Sequence, residues 1–183
     1  MISAWKCFSR QGFQATTMDE IIAETGMSSS SVYRYFAGKN ELIGSAAEES
    51  LATTRAVLED LLGRRPVAGP RDTLIAITKA LQRQIDQPGY DLSKITVNAW
   101  AEALRNPDMH KQAYRFYNET HKTLAKFAEL WQSEGLVSAD ADAAAIADLF
   151  IALMPGMLVL RHLYKPATAT RLVDGIVAFA SGD

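Results

Sequence analysis

Between Thr16 and Lys39 the chain carries hydroxyls and cations in close succession: Thr16, Thr17, Ser28, Ser29, Ser30, Ser31, Tyr33, Arg34, Tyr35 and Lys39. Hydroxyls hydrogen-bond to base edges and phosphate oxygens, and Lys and Arg neutralise phosphate. Ser29 and Tyr33 are four apart, as are Ser30 and Arg34, so each pair stacks on one face of a helix. Small serines would let that helix approach the floor of a major groove, and Tyr33 and Tyr35 would reach phosphates. A serine run taken alone more often marks a solvated cap; the combination points to nucleic acid. Lys39 opens a later helix, where a cation opposes the helix dipole by a few tenths of a kcal/mol or more. A docked phosphate would reverse that cost, meeting free amides and the ammonium together. Thr16 and Thr17 stand at another helix start and are expected to do the same.

A second group of residues could hold a small molecule. Trp100, Phe116, Tyr117, His121, Phe127 and Trp131 place aromatic surface on two helices, and Met154 and Met157 flank Pro155. An apolar pocket with a few polar anchors is expected between helices five to eight, with Trp100, Tyr117, His121, Met154 and Met157 as its candidate contacts. The ligand would be largely apolar, aromatic or amphipathic. Aromatics at helical spacing are more often core, and His121 is more readily a satisfied histidine. Sequence patterns of catalysis and of metal or nucleotide binding are missing: no H-E-x-x-H, C-x-x-C, G-x-G-x-x-G, P-loop or G-x-S-x-G. No catalytic residue, metal or cofactor is expected.

The elements that must position these groups are helical. The chain has 183 residues, 48% hydrophobic and 22% charged, a globular composition with formal net charge −2. A DNA binder needs only a local basic patch, and here it is thin. Up to Ser45, Lys6, Arg10, Arg34 and Lys39 are matched by Asp19, Glu20, Glu24 and Glu41. The single Cys7 excludes an internal disulfide and fits a reducing cytoplasm. No charged-then-apolar leader opens the chain. The longest apolar run, Leu149 to Leu160, falls short of the roughly 20 residues of a membrane span, so a buried helix and no membrane are expected.

Helical periodicity broken by Gly and Pro gives about nine helices. Ile2, Trp5 and Phe8 mark the buried face of the first, and Gly12 ends it. Thr17 and Glu20 form a capping box for the second. Gly26 supplies a left-handed turn, and Ser28 caps a third helix running to about Tyr35. Met27, Val32 and Phe36 are expected to face the first two helices. Further helices are expected over Lys39–Leu62, Arg71–Asp86, Asp91–Arg105, Asp108–Ser133, from a cap at Asp140 or Asp142 to about Leu163, and over Thr168–Ala180, with a kink at Pro155. Leu149 to Leu160 together with Leu172, Ile176, Val177 and Phe179 would fill a core or pair with a second subunit.

The segment "AWKCFSRQGFQATTMDEIIAETGMSSSSVYRYFAGKNEL" resembles the N-terminal domain of the TetR/AcrR family of transcriptional regulators. Ala4, Phe8, Gly12, Thr16, Thr17, Ile21, Ala23, Gly26, Tyr33, Phe36, Lys39 and Leu42 carry the resemblance. It implies an all-α fold: a three-helix helix-turn-helix domain over 1–46 and a ligand-binding and dimerisation domain over 47–183. It also implies a cytoplasmic homodimer joined through helices eight and nine. The implied function is a regulator, here a repressor, that binds a double-stranded inverted-repeat operator and is released by a small-molecule effector. The alternative on the same residues is a helical small-molecule-binding protein with weak or lost DNA binding. Met1 falls inside the family's first helix, without its usual basic arm. A natural start further upstream, or weak DNA binding, is the expectation from that departure.

Overall fold

A computed structural model describes residues 1–87, 89–164 and 169–180. Its helices are α1 (Ile2–Ala15), α2 (Met18–Thr25), α3 (Ser29–Tyr35), α4 (Lys39–Gly63) and α5 (Pro70–Ile85). There follow α6 (Leu92–Ala103), α7 (Pro107–Ser133), α8 (Ala143–Leu163) and α9 (Ala169–Ala180). Among the described residues the sole ladder pairs β1 (Asp86–Gln87) with β2 (Tyr90–Asp91), antiparallel, with Asp86 opposite Asp91. The fold is all-α with the expected order of helices.

Local chemistry sets the boundaries. Thr17 caps α2 in a reciprocal box, its hydroxyl accepting from the Glu20 amide while the Glu20 carboxylate accepts from the Thr17 amide. Gly26 closes α2 at φ 66°, a left-handed conformation that glycine adopts without steric cost. Asp142 caps α8 by accepting from the amides of Ala144 and Ala145. Gly12 does not end α1 outright. It takes φ 80° and ψ 173° inside the element, and a further turn continues to Ala15.

Two compact units result, and neither is a single stretch of chain. The first comprises Met1–Thr53 and Arg83–Ala113; the second comprises Thr54–Gln82 and Tyr114–Asp183. In the first unit, Ala4, Trp5, Cys7, Phe8 and Phe13 of α1 are buried with Ile21, Leu42, Ile43, Ala46 and Ile95. Ile2, expected on that face, is exposed. The buried stripe instead runs through positions 4, 5, 7 and 8, one helical face displaced from Ile2. Trp5 meets the Tyr90 ring edge-on at 5.1 Å, and Phe8 meets Phe13 at 4.9 Å. Burial pushes the Cys7 thiol above its ordinary value, which favours the neutral thiol. Helix α6 is tied to α1 by polar bonds: Gln14 Nε2 donates to Glu102 Oε2 at 2.8 Å, and the Asp91 amide donates to Ser9 Oγ at 2.8 Å.

In the second unit Trp131 is fully buried between Phe127 and Phe150, each at 5.7 Å. Its indole N–H donates to the Ala68 carbonyl at 2.8 Å, so the polar atom inside that core is satisfied. Helix α8 buries Ala147, Phe150 and Met154 against the core. It begins six residues before the apolar run read from the sequence and, by length and composition, is long and apolar enough to cross a membrane. Much of it is not buried within the chain. Leu149, Ala152, Gly156, Leu160 and Leu163 are exposed at spacings of three and four, which forms one continuous stripe. The side chains of Val177 and Phe179 on α9 lie outside the described residues.

Candidate nucleic-acid interface

The second and third helices are short, so their geometry depends on the turn between them. Thr25 Oγ1 donates to the Ile22 carbonyl and accepts from the Met27 amide, which pins the turn on both sides of Gly26. Ser28 then caps α3: its hydroxyl accepts from the Ser31 amide at 3.3 Å and bonds the hydroxyls of Ser30 and Ser31 at 3.1 and 2.9 Å. Val32 is the buried residue of α3. With Val32 inward, helical geometry at 100° per residue directs Ser30 and Arg34 nearly straight outward and Ser29 and Tyr33 to one flank.

The structure agrees with that geometry. Ser28, Ser29, Ser30, Tyr33, Arg34 and Tyr35 are exposed, and Ser31 is half-buried. Tyr33 is 48% and Tyr35 62% exposed, far more than a tyrosine that serves a core. The Arg34 guanidinium carbon stands 5.3 Å from the centre of the Tyr35 ring. Ser30, Tyr33 and Arg34 therefore share the outward side of a helix held by a capped turn, a placement that suits a DNA groove.

Three side chains depart from expectation. Thr16 is fully buried, and its hydroxyl donates to the Gly12 carbonyl at 2.7 Å. It closes the last turn of α1 and is withdrawn from the candidate DNA contacts. Lys39 is half-buried, and its ammonium donates to the carbonyls of Gln14 and Thr16, at 3.3 and 3.0 Å. A cation at the C-terminal end of α1 is favoured by that helix's dipole, which offsets the unfavourable position at the start of α4. Met27, expected to face α1 and α2, is 47% exposed and stands between Gly26 and the start of α3.

Thr17 is exposed, but Glu20 already occupies the start of α2, accepting from the Thr17 amide and hydroxyl and from Gln11 Nε2. The Thr17 amide and hydroxyl hold the Glu20 carboxyl below its ordinary value of 4.5. A depressed folded value contributes stability that is present above the unfolded value and lost as pH falls through the folded one. Relative to Glu20→Gln, the protein is expected to be more stable at pH 7 and to have lost that advantage at a pH well below 4.5. Urea unfolding at the two pH values measures it; a difference independent of pH would remove the carboxylate from the account.

Other charges near the reading face are spent locally. Lys6 pairs with Glu24 at 3.2 Å, and Glu41 accepts from the Ala37 amide at 2.6 Å, which reinforces the entry to α4 beside Gly38. The candidate ligand contacts are divided between the units. Trp100 is half-buried on α6 of the first unit; Tyr117 and His121 on α7, and Met154 and Met157 on α8, belong to the second. Met154 is buried, and His121 Nε2 lies 3.2 Å from Asp148 Oδ1 on α8.

Comparison with known proteins gives this arrangement its family. Residues 3–46 match bacterial regulatory proteins of the tetR family, and residues 70–178 match the C-terminal part of BetI-type transcriptional repressors. An HTH-type transcriptional regulator of Mycobacterium tuberculosis is 24% identical over 183 residues, covering 94% of this chain and 81% of that protein. YerO of Bacillus subtilis, another HTH-type regulator, is 37% identical over 65 residues; that match takes in 33% of this chain and only 22% of YerO. Among solved structures, Salmonella enterica GusR is similar with a TM-score of 0.73 at 25% identity, covering 95% of this chain and 91% of its own. A Saccharomonospora viridis protein solved in complex with choline has a TM-score of 0.77 at 20% identity, covering 100% of this chain and 93% of its own. The matched family and the curated relatives are transcriptional regulators, not enzymes. With both matches together covering most of its length, the chain belongs to the TetR family of bacterial transcriptional regulators.

Proposed function

We propose that the protein is a ligand-responsive repressor that binds an inverted-repeat operator as a homodimer in the cytoplasm. The carrying observation is the face of α3, where Ser29, Ser30, Tyr33 and Arg34 are exposed while Val32 anchors the helix inward. Residues 1–46 would form the DNA-binding domain and 47–183 the ligand-binding and dimerisation domain. The DNA contacts are Ser28 to Ser31, Tyr33, Arg34 and Tyr35, with Thr17 at the flank.

Dimerisation through α8 and α9 is supported by the exposed stripe on α8. Ala152 and Gly156 stand at its middle, and an added Cβ at Gly156 would meet nothing within 4 Å. Small residues there leave room for a second helix to pack closely between Leu149 and Leu160. A two-fold axis would present two α3 helices to successive major grooves, one helical turn apart.

The effector is proposed to be largely apolar, aromatic or amphipathic, contacted by Tyr117, His121, Met154 and Met157 of the second unit. Choline, bound by the Saccharomonospora viridis protein, belongs in the first panel of compounds. An effector should raise the melting temperature of the protein and lower its affinity for the operator.

Tyr33→Phe tests the reading face directly. A hydroxyl bonded to phosphate is a charge-assisted contact, so its loss should weaken operator binding about tenfold per half-site. Because the hydroxyl is neutral, the dependence of affinity on salt should stay unchanged. Fluorescence anisotropy at several salt concentrations measures both; undiminished affinity would take Tyr33 out of the interface.

A further inference from the structure

The cations of the N-terminal segment do not share one fate. The Lys6 ammonium is neutralised by Glu24, and that of Lys39 is bonded to two carbonyls at the end of α1. Arg10 lies with Nη2 3.8 Å from the Cys7 sulfur, drawn toward the α1–α2 side of the unit. Arg34 differs. It is exposed, it lies opposite Val32 on α3, and its guanidinium stands over the Tyr35 ring. A cation–π contact draws the guanidinium to the ring without using its N–H donors as hydrogen bonds, so they can meet a base.

That geometry is suited to one operator feature above others. In the major groove, guanine presents O6 and N7 as adjacent acceptors, and a guanidinium meets both with two parallel N–H bonds. Adenine offers a donor beside its N7, so it repels one of the two. The serines at positions 28 to 31 bring little bulk between α3 and the groove floor, and the hydroxyls of Ser28, Ser30 and Ser31 are bonded among themselves. We propose that Arg34 reads a guanine in each half-site of the operator through its N–H edge, with the Tyr35 ring holding the guanidinium plane in place. The proposal rests on the DNA-binding function given above and names the base that sets its specificity. In addition to the phosphate contact proposed for its hydroxyl, the Tyr35 ring acts as a positioning group for Arg34.

The test is selection of binding sites from a random DNA pool by the full-length protein and by Arg34→Ala, followed by affinity measurements on the selected site. The wild-type protein should enrich an inverted repeat with one invariant guanine per half-site. Arg34→Ala should retain the other positions and lose that preference. Replacing the guanine by 7-deazaguanine, which keeps O6 but removes the N7 acceptor, should weaken the wild-type protein about tenfold per half-site and leave Arg34→Ala nearly unaffected. Tyr35→Leu should reduce discrimination at the same position only, a result that general loosening of α3 would not produce. If the wild-type protein enriches no sequence, the DNA-binding function itself fails. If it enriches a repeat and Arg34→Ala enriches the same repeat with the guanine preference intact, DNA binding stands and the role of Arg34 is overturned. Uniform weakening on all sequences with a salt slope lower by about one per half-site would make Arg34 a phosphate contact and also overturn it.

Discussion

Leu160→Glu combined with Leu163→Glu is expected to convert the protein into a monomer that no longer holds its operator. Leu163 is 79% and Leu160 42% exposed on α8, so the folded chain loses little internal packing at Leu163 and only part of that at Leu160. Across a two-fold interface each substitution occurs twice, and four carboxylates would have to be withdrawn from water. Each costs several kcal/mol without a partner, enough to weaken association at least about a thousandfold. Sedimentation velocity at micromolar concentration should show a dimer for the wild-type protein and a monomer for the variant, with equal helicity by circular dichroism. Operator affinity should fall in step, because one α3 helix then binds without its partner. A variant that remains dimeric would place the subunit contact elsewhere.

Gly12→Ala is expected to destabilise the first unit by about 1–3 kcal/mol, the strain of placing an L-residue in a region of backbone space that only glycine occupies readily. The conformation is φ 80° and ψ 173°. An added Cβ would also lie 3.0 Å from Asn98 Oδ1 on α6. Asn98 could move aside, but its Nδ2 donates to the Lys94 carbonyl at 2.8 Å, and that bond would suffer. Gly12 also supplies the carbonyl that accepts from Thr16, so the chain between α1 and α2 would shift with it. Chemical denaturation should report the loss. Stability equal to wild type within about 0.5 kcal/mol would show that the backbone there relaxes freely.

The features legible in the sequence are those fixed by neighbours in the chain. The Thr17–Glu20 box, the left-handed Gly26, the Ser28 cap and the Asp142 cap each depend on residues within three positions, and each is present. Val32 is buried as its spacing requires. What escaped the sequence depends on distant partners. Two adjacent threonines look alike until packing buries Thr16 and leaves Thr17 in water. Lys39 reads as an anion clamp from its own helix, and only the end of α1, 23 residues earlier, shows where its ammonium goes. Met27 belongs to the apolar pattern of α3 by spacing, yet it precedes the helix and faces outward. The bonds that join α6 to α1 link positions 82 and 88 residues apart, and no local pattern announces them. For the apolar α8, composition gave the helix but not its partner: one face meets the core of its own unit and the other is exposed.

The central claim, that a dimer reads DNA through α3, is tested most directly by footprinting the protein on genomic fragments it retains from a sheared pool. Two protected half-sites related by a dyad, with centres about 10 base pairs or a small multiple of that apart, are predicted. Tyr33→Phe should shift the protection to higher protein concentration without moving it. Retention of no fragment above the level of random DNA, at physiological salt and with the protein shown to be dimeric, would contradict the account.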